Sequence, residues 1–214
     1  MLQEFKNEAL VNFNDPEINK YMQDALAKVK GEFNKHYPLV IGSEKVTTEQ
    51  KIVSYNPALK EQVVGITSKA DQLLAEKAME VALTTFETWK NVPATQRANY
   101  LFNAAAIMRR RKYEFSAYLV YETGKSWVEA DADVAETIDF MDFYGREAIR
   151  ISQAQPLTRI PGEDNELTYI PLGVGVVIPP WNFPLAILVG MTTAAVVTGN
   201  TVVLKPYYLL PQLQ

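Results

Sequence analysis

One stretch near the end of the chain constrains its fold more than any other. From Gly173 to Pro206 the sequence runs GVGVVI, PPWNFP, LAILVGMTTAAVV, TGN and TVVLKP. Residues 168–178 are β-branched and apolar, which predicts a strand. The run after Pro184 is too long for one strand and carries small residues on several faces, so it predicts a buried helix. Gly199-Asn200 supplies the stop. Thr201–Leu204 predicts a second short strand. Strand, loop, helix and strand make one βαβ unit, whose crossover requires the strands to run parallel. The unbroken apolar run is shorter than the ~20 residues a membrane span needs. Within it stands Asn182, held between prolines. A buried amide with no partner costs about 1–3 kcal/mol. Asn182 is therefore expected to have either a structural partner or a chemical task.

The upstream residues predict helices mixed with short strands. Ile18, Met22, Leu26 and Val29 recur at helical spacing over residues 15–30, and Gly31 can end that helix. PLVIGSEKV predicts strands around a Gly-Ser turn, Asn56-Pro57 a further turn, and EQVVGITS another strand. Ser68 is the expected cap of a helix that buries Leu74, Ala78, Ala82, Phe86 and Trp89. Pro93 opens a long helix expected to continue to Gly124, and another covers residues 127–151. The connector QAQPLTRIPGEDNE is rich in proline, glycine and polar residues.

Composition excludes several classes. The formal charge of −4 gives no electrostatic reason to bind nucleic acid or an anionic membrane. The Arg109-Arg110-Arg111-Lys112 run is read as a solvated helix face in an acidic chain. With no cysteine there can be no disulfide, thiolate metal site or cysteine nucleophile among these residues. The single histidine, His36, is placed on the surface. The first residues are charged and lack the apolar run of a secretory signal, so the expected location is the cytoplasm.

Ligands of open α/β sheets sit at the carboxyl ends of the strands. Asn182 follows the first predicted strand and Lys205 ends the second, so an amide donor and a cation are directed to one sheet edge. Gly173-Val174-Gly175 begins like a dinucleotide fingerprint, but Ile178 stands where the third glycine belongs and the glycines precede or begin the strand instead of following it. That reading is rejected.

PPWNFP, the apolar helix and GNTVVLKP together resemble the NAD(P)-dependent aldehyde dehydrogenases, and the resemblance reaches back to about Pro38. YPLVIGSEKVTTEQKIVSYNPA, the stretch from Arg97 to Phe140 and FYGREAI look most like the branch that oxidises 1-pyrroline-5-carboxylate, or glutamate 5-semialdehyde, to glutamate. The resemblance implies an α/β fold: a helical region leading into the first βαβ unit of a Rossmann-like parallel sheet. It implies a helical arm over residues 1–37, the helix-rich start of a cofactor domain over 38–160, an oligomerisation-type strand with the βαβ unit over 161–206, and a divergent tail over 207–214. NAD is the implied cofactor, with NADP open, the substrate a small aldehyde, and the full-length protein a homo-oligomer. Asn182 would donate to the aldehyde oxygen as a thiohemiacetal forms, a contribution of roughly 3–4 kcal/mol in related acyl chemistry. Lys205 would hold the adenosine ribose hydroxyls. Ile178, Pro179, Pro180 and Trp181 would line the cofactor cleft. Phe183 would pack on the substrate chain, and Glu136 matches a substrate-channel glutamate.

The sequence also departs from that family. Its catalytic cysteine, general-base glutamate and later glycine-rich turn are not among these 214 residues. Pro179 stands where relatives often carry serine, and residues 207–214 do not follow the family pattern. The chain is thus expected to be the N-terminal portion of such an enzyme. The alternative is a truncated, non-catalytic product that at most associates with full-length subunits. A parallel sheet of two strands leaves faces and edges uncovered, so the chain alone is expected to be poorly soluble or partly folded. Purified 214-residue protein should show no formation of NADH from glutamate semialdehyde and NAD; measurable turnover would overturn this expectation.

Overall fold

The computed structural model describes residues 3–207. Helix α1 (Pro16–Lys30) starts where Asp15 accepts the Glu17 and Ile18 N–H groups, satisfying donors that a helix start leaves open. The strands β1 (Lys35–Tyr37), β2 (Leu39–Ile41), β3 (Glu44–Val46), β4 (Lys51–Asn56) and β5 (Leu59–Ser68) follow. They form a mixed three-stranded sheet of order β1-β5-β4, with β1 parallel and β4 antiparallel to β5, and a separate β2–β3 hairpin. The hairpin turns at Gly42-Ser43, where Gly42 has φ +60°, a conformation glycine adopts at no steric cost. His36 is exposed on β1.

Helices α2 (Gln72–Trp89), α3 (Ala94–Arg110), α4 (Lys112–Thr123) and α5 (Trp127–Ile151) make the helical layer. Four sequence expectations change here. Asp71, not Ser68, caps α2, accepting Leu74 N–H; the Ser68 hydroxyl instead accepts Thr48 N–H at the end of β5. On the expected apolar face of α2, Ala82 alone is fully buried, the others being half-buried among the described residues. The helix opened at Pro93 breaks at Arg111, at φ −110° and ψ 18°, so α3 and α4 pack in separate positions. The break sends the basic run in different directions. Arg109 pairs with Glu8 and Asp142, Arg111 with Glu114, and Lys112 with the buried Asp131 at 3.0 Å. Lys112 is itself buried, so this part of the run is no solvated face. Arg111 and then Lys28 hold the Glu114 carboxyl down to about 2, against the desolvation that opposes them.

α5 is the hub. Its buried residues Ala130, Val134, Ile138 and Met141 recur at helical spacing and join Met22, Leu119, Leu185 and Val197 in one core. Ser126 and Glu129 form a reciprocal capping box at its start. On its other side α5 holds the segment before α1: Asp139 accepts Glu8 N–H and Asp131 accepts Val11 N–H.

The last unit is β6 (Val174–Val177), α6 (Ala186–Val197) and β7 (Thr201–Leu204), with β6 and β7 parallel in the register Val174↔Thr201 to Val177↔Leu204. The strand expected over 168–178 is thus shorter. Residues 168–172 carry no strand pairing among the described residues, and an extended segment without a neighbouring ladder is not a strand. Asn200 ties the unit together. Its side-chain oxygen accepts Leu172 and Gly173 N–H, while its amide donates to the Ala195 carbonyl. The expected divergent tail lies, apart from Tyr207, outside the described residues. Among those residues no helix is long and apolar enough to cross a membrane.

Gly190 lets α6 lie against α5, because an added Cβ would stand 2.8 Å from the Phe140 ring, itself stacked on Tyr144. Gly190→Ala should therefore destabilise the protein by about 1–3 kcal/mol despite alanine's better helix propensity. Urea unfolding would check this.

Candidate functional site

The site is built where β6 and β7 end. The strand register continues past both strands, with Lys205 N–H donating to the Val177 carbonyl at 2.9 Å. Ile178 and Lys205 therefore leave the parallel pair side by side. Both are exposed, whereas Pro179 is buried. The chain then passes through Pro180, Trp181, Asn182 and Phe183, all exposed, before Pro184, Leu185 and Ala186 enter the interior. The expectation that Asn182 is buried is corrected. The apolar neighbours of PPWNFP bury only the ends of the loop, and its tip faces outward.

α6 has no side-chain cap of its own, since Leu185 occupies the N-cap position. The cap comes from α5. The fully buried Asp133 accepts Ala186 N–H at 2.8 Å on Oδ1 and the Lys125 ammonium at 2.7 Å on Oδ2. Lys125 also lies 4.2 Å from the Phe183 ring centroid, within reach of a cation–π attraction. Burial raises the Asp133 carboxyl, with Lys125 and the amides of Ala186 and Leu185 opposing the rise. Glu136 stands one turn further along α5. Glu136 is exposed; the desolvation its carboxyl still feels, then the charge of Asp133, raise it above its ordinary value, while Lys125 pulls it down.

The structure thus groups the expected site residues in two places. Ile178 and Lys205 share the strand edge. Phe183 lies beside Lys125 at the start of α6, and Glu136 stands on α5 one turn from Asp133. Asn182 is on the loop that joins the two. Lys125 and Asp133 were missed from sequence. An aspartate on the apolar face of α5 was a signal, but only the tertiary fold shows that its partner is the first turn of α6. Among the described residues no group of His, Cys, Asp and Glu could hold a metal ion.

The sequence pattern of the aldehyde dehydrogenase family matches residues 44–213. The chain belongs to that family. It is 54% identical over 211 residues to a 1-pyrroline-5-carboxylate dehydrogenase of Geobacillus sp. (strain WCH70), covering 99% of this chain and 41% of the relative. It is 55% identical over 212 residues to the enzyme of that name from Bacillus cytotoxicus, with the same coverage. A crystal structure of 1-pyrroline-5-carboxylate dehydrogenase from Thermus with bound NAD superposes with a TM-score of 0.94 at 50% identity, covering 98% of this chain and 41% of that one. The architecture is accordingly the α/β arrangement of the first part of an aldehyde dehydrogenase, and the chain spans about two-fifths of these relatives' length.

The opposed charges around Glu136 give a direct check. Neutralising Asp133 (Asp133→Asn) should lower the Glu136 carboxyl midpoint, and removing the cation (Lys125→Met) should raise it. Carboxyl-carbon NMR across a pH titration would read both; shifts in the same direction would contradict the arrangement.

Proposed function

We propose that these residues form the N-terminal portion of a cytoplasmic, homo-oligomeric aldehyde dehydrogenase that oxidises glutamate 5-semialdehyde to glutamate with NAD or NADP. The observation that carries this reading is the parallel exit of β6 and β7. It brings Ile178 and Lys205 to one edge with the Asn182 loop beside them, in a chain whose relatives bear that enzyme's name. The parallel pair fits the start of a Rossmann-like sheet, with residues 161–172 ahead of it available to pair with another subunit.

The residues suit a dinucleotide at this edge. Lys205 carries an ammonium that can donate to ribose hydroxyls, and the exposed Ile178, Pro180 and Trp181 provide apolar surface beside it, while Pro179, expected to line the same cleft, is buried and supports the loop from beneath. NAD(P)+, when bound, supplies the hydride acceptor. Asn182 donates its amide to the aldehyde oxygen as negative charge grows there, when a thiol attacks and the thiohemiacetal forms. An amide is suited to this task because it is neutral and donates without needing to lose a proton. Phe183 offers an apolar face to the aliphatic part of the substrate, and Glu136 lines the approach. The thiol must come from residues other than these, since the sequence holds no cysteine. The 214 residues by themselves are accordingly non-catalytic.

The test uses a full-length enzyme in which this segment is completed by the downstream residues of the Geobacillus relative. That enzyme should reduce NAD with glutamate semialdehyde. Asn182→Ala should lower kcat on the order of 10²–10³-fold. Lys205→Ala should raise KM for NAD by about 10-fold or more, as the loss of one charge-assisted hydrogen bond of ~1.5 kcal/mol requires. An enzyme that leaves this aldehyde unoxidised would overturn the substrate assignment, and unchanged kinetics in both variants would overturn the residue roles.

A further inference from the structure

The tip of the Trp181–Phe183 loop is exposed and carries no regular secondary structure. The β6–β7 ladder fixes its entry, and three contacts hold its exit. Ile187 N–H donates to the Phe183 carbonyl at 3.1 Å, and the other two contacts come from outside the unit. Asp133 holds Ala186 N–H at 2.8 Å, and Lys125 stands 4.2 Å from the centre of the Phe183 ring. The 2.7 Å ion pair between Lys125 and Asp133 joins these contacts into one brace. It grips the residue directly after Asn182 and the first turn of the helix beyond.

The chemistry of this brace exceeds what helix capping needs. A serine or threonine at position 185 would cap α6 with a neutral hydroxyl. The protein instead buries a carboxylate completely, which is costly unless the charge is paired and hydrogen-bonded. What the carboxylate adds is a fixed place for Lys125, and Lys125 in turn reaches Phe183. A hydroxyl at position 185 could not do this.

We infer that Asp133 is a positioning residue for Asn182, acting through the Ala186 backbone and, by way of Lys125, through the Phe183 ring. The brace lets the loop tip stay open to a ligand while the direction of the Asn182 amide is fixed from behind. The inference rests on the reading of Asn182 as the oxyanion donor and adds the residues that aim it.

The test is a double-mutant cycle in the full-length enzyme described above, combined with hydrogen exchange. Asp133→Asn keeps the shape and one acceptor but removes the charge that holds Lys125. It should lower kcat on the order of 10- to 100-fold, the scale of a small misplacement of a reacting group, with KM for NAD unchanged. In the Asn182→Ala background the same substitution should have no further effect on kcat, because the group it positions is gone. Full additivity of the two substitutions would overturn the inference while leaving the role of Asn182 intact. A normal kcat in Asn182→Ala would overturn the role of Asn182 itself. Should Asp133→Asn fail to fold, hydrogen exchange of the unsubstituted protein decides. The Ala186 amide should exchange as slowly as those of the α5 core, and exchange at the rate of the Trp181 amide would overturn the brace.

Discussion

The placement of α6 depends on two charges donated by other helices. The helix has no charged residue of its own and no side-chain cap at its start. An anion, Asp133, meets its amino end, and a cation, Arg97, meets its carboxyl end, where Arg97 Nε donates to the Val197 carbonyl at 2.7 Å. Trp89 adds a bond to the Val196 carbonyl at 2.9 Å. Both charges have the sign that the helix dipole favours, and both satisfy backbone groups that burial would otherwise leave unpaired. An apolar helix can slide or rotate in an apolar setting at little cost. These bonds give it one axial position, and through it they set the loop before it and the strand after it.

The same arrangement explains how an exposed loop can be ordered. Pro179 and Leu185 are buried at its two ends, the parallel ladder fixes its entry, and Asp133 fixes its exit. The tip between them needs no burial to hold a conformation, so Asn182 is exposed rather than packed in the core. Lys125 links this geometry to α5, and hence to Glu136, so the strand edge and the helical layer act on one loop. The Lys125–Asp133 pair is nearly removed from water. Its attraction is therefore screened far less than that of the surface pairs such as Lys77–Glu44.

Much of the fold was legible because local rules and tertiary needs agree. The spacing of Ile18, Met22, Leu26 and Val29, the run from Trp127 to Ile151, and the Gly199-Asn200 stop each marked an element that the structure contains. The misreadings have particular causes. Nothing in RRRK signals the break at Arg111, since arginine is a good helix former; the break follows from the separate partners of Arg109, Arg111 and Lys112. Ser68 matched a cap pattern, but β5 claimed it for its ladder. Residues 168–172 have strand composition, and composition cannot supply a neighbour to pair with.

The sequence by itself determined the family and the order of elements, because PPWNFP and GNTVVLKP are read as strings and the period of an apolar run is a local property. It also placed Lys205 at the end of the second strand of a parallel pair, since parallel strands carry their carboxyl ends to the same side. Only the tertiary structure decided that Asn182 is exposed, and that Asp133 and Lys125 hold Ala186 and Phe183 just after it. Burial and charge pairing here join α5 to α6 across 53 residues of chain, and no local pattern encodes which distant backbone amide a buried carboxylate will hold.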